Sequence, residues 1–238
     1  MATAACEASP IPMTTRELIL TFHGLGEPPN SIVDSERKFW VPVTWFQEIL
    51  DALDGASAAP RDRVGVAFDD GNASDVEYAL PELVQRGMTA RFFPLTRRIG
   101  EYGYLSAQDI SRLSAAGMGI GSHGLHHRDW RTLTDDELHE ELAVSRHTLT
   151  EILDTEITEV ACPFGSYDRR VLRAARAAGY RRVFTSDGGT HSANAWVTSR
   201  TTVARDRPLE DWLQLARVGA RETPGPLLLG KRLVKRLR

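Results

Sequence analysis

Short apolar runs alternate with amphipathic segments along almost the whole chain, and this alternation limits the fold more than any other feature. Runs typical of strands occupy residues 18–23, 64–70, 89–95, 118–123, 159–165, 181–189 and 195–203. Segments with apolar residues at helical spacing follow them, at residues 43–53, 81–86, 107–117, 135–153, 171–179 and 208–219. Repeated strand–helix units indicate a parallel sheet. About seven strands in 238 residues predict a closed or nearly closed βα barrel, with an open doubly wound sheet as the alternative.

Several residues are placed to start these helices. Ser106 and Asp168 each precede an amphipathic segment and are predicted N-caps. Thr134 and Glu137 have the spacing of a capping box, which predicts a long helix that ends near Leu153.

Composition narrows the class of protein. The chain has 29 Lys and Arg against 32 Asp and Glu, a net charge of −3, which argues against nucleic-acid binding across the whole surface. Its two cysteines, Cys6 and Cys162, cannot form a disulfide framework, so a reducing compartment is favoured. The first residues lack the pattern of a signal peptide, and no apolar run approaches the ~20 residues of a membrane span. We therefore expect a cytoplasmic protein.

Three segments are expected: a flexible N-terminus over residues 1–16, one domain over 17–222 and a basic tail over 223–238. On a helix, Leu229, Leu233 and Leu237 of the tail form an apolar stripe with most cations away from it. Such a segment can lie on an anionic membrane surface, and the alternative is a solvated tail. If the tail binds membrane, a lipid-linked substrate becomes plausible.

Polar residues stand where the predicted strands end. They are His23, the pair Asp69 and Asp70, His123, the turn 162–165 and Asp187. In βα folds the carboxyl ends of the strands share one face, so we expect these side chains to converge there.

Two of these motifs predict a metal site together. Asp69 and Asp70 would repel each other at the end of a buried strand, and a cation bound by Asp70 would leave Asp69 ionised beside it. Gly71 supplies the tight turn. His123 and His127 have i, i+4 spacing, which places both rings on one face if the segment is helical. Two histidines and one carboxylate leave coordination positions open, as a hydrolytic metal requires.

The motifs AFDDG (67–71), HGLHH (123–127) and ACPFGSYD (161–168) occur in an order that resembles the polysaccharide deacetylase superfamily, carbohydrate esterase family 4. The opening strand LILTFH (18–23) adds to the resemblance, which covers roughly residues 17 to 215. It implies a distorted (β/α)7 barrel and a divalent metal, usually zinc and sometimes cobalt or nickel.

The resemblance also implies roles for individual residues. Asp70, His123 and His127 would be the metal ligands, and Asp69 would be the general base. The backbone N–H of Phe164 would help to stabilise the tetrahedral oxyanion, in a turn fixed by Pro163 and followed by Gly165.

The sequence departs from the family pattern at two positions. Ala161 stands where many members have an arginine that orients the catalytic aspartate, and Arg200 is our candidate for that role. The late Leu-x-His motif, whose histidine protonates the leaving amine, is missing. His23 is the preferred general acid because it ends a strand on the presumed active face, and His191 is the alternative.

The predicted function is a metal-dependent hydrolase that removes an N-acetyl or other small N-acyl group from an amino sugar. The substrate would be a small molecule, an oligosaccharide or a glycolipid intermediate. A carbohydrate O-acetyl esterase and a non-catalytic carbohydrate-binding descendant are the alternatives, and a metal-dependent phosphoesterase is the least favoured. The missing arginine and histidine favour the non-catalytic reading, whereas Asp69, which only a catalyst needs, favours the hydrolase.

Overall fold

Seven parallel strands form a closed ring in the computed structural model, which describes residues 16–30, 32–55, 62–219 and 233–235. The ring strands are β1 (Arg16–Phe22), β2 (Asp62–Asp70), β3 (Arg91–Pro94), β4 (Gly119–Ile120), β5 (Glu159–Ala161), β6 (Arg182–Thr185) and β7 (Val197–Ser199, continued by Thr201–Thr202). The predicted (β/α)7 barrel is therefore confirmed, and the open doubly wound sheet is excluded by the closure of the ring.

Neighbouring strands pair in chain order around the ring. β1 pairs with β2 over its full length, β2 with β3, and β3 with β4. A bridge between Ser122 and Val160 carries the ring from β4 to β5, and β5 then pairs with β6 and β6 with β7.

The last strand closes the barrel by changing partner halfway. Its first part, Val197–Ser199, pairs with β6, and its second part, Thr201–Thr202, pairs with β1. Arg200 lies at the change, where its N–H donates to Thr185 O (2.9 Å) and its carbonyl accepts from the N–H of Gly188 (2.8 Å). The break therefore leaves one side chain, Arg200, between the two halves of the strand.

Seven helices accompany the strands in the described part of the chain. They are α1 (Asp34–Arg37), α2 (Val43–Gly55), α3 (Leu80–Gln85), α4 (Ala107–Ala115), α5 (Asp135–Leu153), α6 (Arg169–Ala177) and α7 (Leu209–Val218). The three predicted caps are present: Ser106 and Thr134 form capping boxes, and Asp168 accepts from the N–H of Val171. Local hydrogen bonding thus fixes where α4, α5 and α6 begin.

Side chains divide between two cores because alternate strand residues face opposite sides of the ring. The larger core lies between the strands and the helices and includes Phe22, Phe68 and Phe92. The smaller core is a separate cluster of Ile19, Ala67, Phe93, Ala161 and Phe184, the residues that face the barrel interior. Since Asp69 follows Ala67 by two positions, the same alternation directs Asp69 inward.

Two strands are shorter than predicted, because the chain turns from the strand into the loop that carries the HGLHH or the ACPFGSYD motif. β4 ends at Ile120 and β5 at Ala161, whereas the predicted runs extended to residues 123 and 165. The structure also adds pairings that sequence did not predict: Gly24–Leu25 pairs with Trp40–Val41, and His191–Ser192 runs antiparallel to the start of β1. A π-helical turn at Asp75–Ala79 leads into α3.

The terminal predictions fall mostly outside the described residues. The predicted flexible N-terminus, residues 1–16, lies there except for Arg16, which begins β1. Of the predicted tail, 223–238, only Leu233, Val234 and Lys235 are described. No helix in the described ranges is both long enough and apolar enough to cross a membrane.

At the amino end of β1, Glu17 lies between His191 and Arg182, at 3.3 and 3.1 Å from its Oε2. The hydrogen bond with His191, opposed by burial and helped by Arg182, lowers the pKa of Glu17 from its usual 4.5 to about 2. Because the folded pKa is depressed, Glu17 stabilises the fold above pH 4.5, and this contribution is lost as pH falls toward 2.

Glu17→Gln should therefore lower the free energy of unfolding at pH 6, by at most about 3 kcal/mol. The difference in the free energy of unfolding between the wild type and this variant should narrow as the pH falls from 5 to 2. Urea denaturation over this range measures the difference, with the exposed Glu151→Gln as a matched control. A difference that stays constant with pH would contradict the assignment.

Candidate metal centre and active site

A cavity of about 350 Å³ opens at the carboxyl ends of the strands. Its lining includes residues at or just after the ends of six different strands: His23, Asp69, Asp70, His123, His127, Phe164, Ser186 and Thr202. The rim adds Lys38, Phe39 and Arg98, which the sequence analysis did not single out. The expected convergence of strand-end residues is thus present for His23, Asp69, Asp70, His123 and the turn 162–165, but not for Asp187.

Asp70, His123 and His127 form a compact set of metal-ligand atoms. One donor atom from each lies within 4.8 Å of the others. The Nε2 atoms of both histidines are 3.6 Å from Asp70 Oδ1. The ring of His123 donates from Nδ1 to Ala161 O at 3.0 Å. The lone pair of its Nε2 is therefore free and faces Asp70.

The donor set fits a divalent metal with nitrogen and oxygen preference. Asp70 Oδ1 is buried and has no hydrogen-bond partner among the described residues, a costly state unless a cation satisfies it. Burial lowers the pKa of His123 to about 4, although Asp69 and Asp70 act in the opposite direction, so the ring is the neutral imidazole that a metal requires. Two histidines and one carboxylate are the ligand set of several hydrolytic zinc sites.

The backbone at this site is held in unfavourable conformations. Four non-glycine residues of the described ranges have positive φ, and three of them line the cavity: Asp70 (74°), His127 (57°) and Phe164 (57°). Each such residue costs roughly 1–2 kcal/mol relative to its relaxed conformation. Strain concentrated in one cavity is typical of a site selected for geometry rather than for stability.

The segment that carries the two histidines is not helical, so the i, i+4 spacing does not act through a helical face. Residues 121–129 form a loop, in which Gly124 has φ +86° and His127 has φ +57°. The rings nevertheless approach each other, with centroids 5.3 Å apart, because the loop turns back on itself. His126 points away from the site and contacts Glu141 instead.

Asp69 is neutralised by an arginine and not by the metal set. Arg200 donates from Nη1 to Asp69 Oδ1 (2.6 Å) and from Nη2 to Oδ2 (2.7 Å), a bidentate ion pair with both side chains almost fully buried. Burial raises the pKa of Asp69, but the charge of Arg200 outweighs it and lowers the pKa to about 2, helped at such low pH by the His123 ring, which is then protonated. Asp69 Oδ2 lies 4.0 Å from His123 Nε2, so this carboxylate stands beside the metal set.

Aromatic faces and a carbonyl hold the guanidinium of Arg200. It lies 5.1 Å from the ring centre of Phe93 and 5.8 Å from that of Phe184. Its Nε also approaches Thr185 O at 3.5 Å. The structure thus places Arg200 against Asp69, the position the sequence analysis assigned to it, while Ala161 belongs to the interior cluster.

The turn Pro163–Gly165 forms one wall of the cavity. Within it, Gly165 N–H donates to Cys162 O and Ser166 N–H to Pro163 O, both at 3.0 Å. The exposed ring of Phe164 packs on His127, with centroids 4.4 Å apart. The turn is therefore adjacent to the metal set, as its predicted role requires.

His23 and His191, the two candidates for the general acid, lie at opposite ends of the barrel. His23 lines the cavity, and its ring stacks on Phe39 at 5.0 Å. His191 is paired with Glu17 at the amino end of β1, about 20 Å along the strand from His23. His191 is thereby excluded from the site.

Asp187, one of the strand-end residues expected to converge, does not line the cavity, and neither does Trp130. Trp130 is fully buried in the outer core. Asp187 accepts from Tyr167 Oη (2.7 Å) and Thr185 Oγ1 (3.0 Å), and Lys235 of the tail binds its Oδ1 at 2.6 Å. The described part of the tail therefore contacts the body of the domain next to the turn Pro163–Gly165, whose Gly165 O accepts from Lys235 at 3.2 Å.

Comparison with known proteins places this geometry in a family context. Residues 56–183 match the family model described as "Polysaccharide deacetylase". A curated relative, YxkH of Bacillus subtilis (strain 168), is 25% identical over 184 residues, which make up 73% of this chain and 66% of YxkH. The match thus spans slightly less than two thirds of that relative.

Solved structures share the fold. The Streptococcus pyogenes deacetylase PplD in complex with acetate has a TM-score of 0.74 at 19% identity, over 84% of this chain and 98% of PplD. BC0361, a polysaccharide deacetylase from Bacillus cereus, has a TM-score of 0.75 at 18% identity, over 87% of this chain and 70% of BC0361.

Proposed function

Because this chain belongs to the polysaccharide deacetylase family, we propose that it is a metal-dependent hydrolase that removes an N-acetyl or other small N-acyl group from an amino sugar. One observation carries the proposal. A compact Asp–His–His set and a separate Asp–Arg pair share the same cavity, at the strand ends of the barrel. A binding protein would need the first of these at most, whereas hydrolysis needs both.

Asp70, His123 and His127 would hold the divalent ion, with zinc favoured by the two imidazoles and cobalt or nickel as alternatives. When bound, the ion supplies Lewis-acid chemistry: it polarises the acyl carbonyl and lowers the pKa of a water molecule. Asp69 would accept the proton of the attacking water at a carboxylate oxygen. Arg200 keeps that carboxylate in place, because two parallel hydrogen bonds fix both its position and its plane.

Attack by the water oxygen forms a new C–O bond and a tetrahedral oxyanion. The Phe164 N–H would donate to this oxyanion, and one such donor is typically worth about 3 kcal/mol of barrier. His23 would then protonate the leaving nitrogen as the C–N bond breaks. The products are a carboxylate, acetate in the simplest case, and a free amino sugar.

We propose a cytoplasmic protein whose basic tail contacts the inner face of the membrane, as the composition of residues 223–238 suggests. Sedimentation with anionic vesicles tests the membrane contact, because a tail that acts through charge releases at high salt.

The adjacent aspartates Asp69 and Asp70 have different proposed roles, as general base and as metal ligand, and matched Asn variants test them separately. Asp69→Asn should keep the metal affinity within about threefold and lower turnover by about 10²–10⁴-fold, the usual contribution of a general base. Asp70→Asn should lower the metal affinity itself, by more than the 10–100-fold typical of an outer-shell partner. Metal content and acetate release from an N-acetylglucosamine oligomer measure the two effects.

The exposed Asp211→Asn serves as the control and should behave as the wild type. Metal binding without turnover on either the oligomer or an aryl acetate would favour the non-catalytic descendant. Turnover of the acetate ester alone would favour the O-acetyl esterase. No metal binding after zinc or cobalt is added would refute the assignment of the site.

Substrates with different leaving groups test whether His23 is the general acid. His23→Gln should lower kcat for the N-acetyl amino sugar by about 10²–10⁴-fold. The loss for an aryl acetate should be much smaller, because a phenolate leaves without protonation. Steady-state kinetics on both substrates test this, and equal losses on the two would contradict a general-acid role.

A further inference from the structure

Glu141 is a carboxylate at a core position of α5. Its side chain is 1% exposed, and it lies on the buried stripe of the helix with Leu138, Leu142, Ser145 and Leu149. A buried carboxylate is costly unless hydrogen bonds satisfy it, so its partners indicate what it is for.

Three hydrogen bonds of this carboxylate go to the loop between the two proposed histidine ligands. Oε2 accepts from the backbone N–H of Leu125 at 2.8 Å and from that of His126 at 3.2 Å. Oε1 accepts from Nδ1 of the His126 ring at 3.0 Å. The helix is thus hydrogen-bonded to the two residues that immediately precede His127.

Other backbone hydrogen bonds connect the loop to β3 and to the short turn, Thr96–Arg98, that follows it. His123 N–H donates to Pro94 O at 3.1 Å, which ties the first ligand to β3. Gly124 O and Leu125 O accept from the N–H groups of residues 96 and 97, at 3.2 and 3.1 Å. His123 is therefore fixed by the barrel, whereas the path from Leu125 to His127 is fixed on one side by Glu141.

Gly124 gives an independent indication that this contact is built in. Its φ is +86°, and a Cβ at this position would lie 2.9 Å from Glu141 Oε2 and 2.9 Å from the Trp130 ring. Only glycine allows the loop to approach the carboxylate this closely. The glycine in the loop and the glutamate in the helix therefore fit each other at one contact.

We infer that Glu141 is a positioning residue of the metal centre: it holds the 125–126 backbone so that His127 reaches the same point as His123 and Asp70. The inference rests on the proposed metal-binding role of those three residues. It predicts that loss of the hydrogen bonds to residues 125 and 126 weakens metal binding more than it weakens the fold.

Co²⁺ binding to the full chain tests the inference, followed by the visible absorption of the bound ion. Glu141→Ala should raise the Kd for Co²⁺ by about 10–100-fold and change the absorption spectrum. Glu141→Gln should stay within about threefold of the wild type, since its amide oxygen still accepts from both backbone N–H groups. Glu151→Gln, an exposed change on the same helix, should have no effect.

The free energy of unfolding of the metal-free variants separates positioning from general stability. A purely structural role would lower it while leaving the Co²⁺ Kd of the folded protein unchanged, and that result in Glu141→Ala would overturn the inference. If Glu141→Ala does not fold, Glu141→Asp decides: its shorter carboxylate should raise the Kd at least about threefold, and an unchanged Kd would overturn the inference. A wild type that binds no Co²⁺ would refute both the proposed function and this inference.

Discussion

The buried ion pair between Asp69 and Arg200 is the interaction on which the arrangement of the site depends. Two adjacent carboxylates at the end of a buried strand cannot both be ionised without a counter-charge. Arg200, 131 residues later in the chain, supplies that charge to Asp69. Asp70 is thereby left to face the two histidines, and the like-charge problem of the Asp-Asp sequence is divided between an arginine and a metal site.

The same ion pair connects chemistry with barrel closure. Arg200 stands where β7 stops pairing with β6 and starts pairing with β1, so the closing strand and the proposed catalytic base are held by one side chain. Breaking a buried pair by removing one partner typically costs 3–5 kcal/mol, because the other charge stays buried and unpaired. Geometry at the site and stability of the closed ring are therefore coupled through Arg200.

Local signals predicted much of the fold. The helix predicted at 135–153 matches α5, since the capping box of Thr134 and Glu137 is a contact within four residues. Strand positions followed from apolar runs, and the strand-end residues other than Asp187 converged because parallel strands in a ring share one face. The proposed metal ligands were chosen from the order of the motifs, which does not depend on the loop geometry.

The rest depended on contacts between residues far apart in sequence. The loop 121–129 is not helical, because its path is set by Glu141 and by the strands rather than by its own propensity. Glu141 had a visible signal, a charge on the apolar stripe of α5, but its partners at 125 and 126 could not be known from sequence. The bidentate geometry between Arg200 and Asp69, and the distance of His191 from the site, are likewise consequences of closing the ring, although Arg200 itself was the predicted partner of the aspartate.

The central claim is that Asp70, His123 and His127 bind one metal ion while Asp69 stays with Arg200. Anomalous diffraction from crystals grown with Zn²⁺ tests this most directly. The account predicts a single strong peak contacted by Asp70 Oδ1 and the two histidine Nε2 atoms, with the bidentate Asp69–Arg200 pair intact. A peak coordinated by Asp69, or Arg200 displaced from Asp69 in the zinc-bound protein, would contradict it.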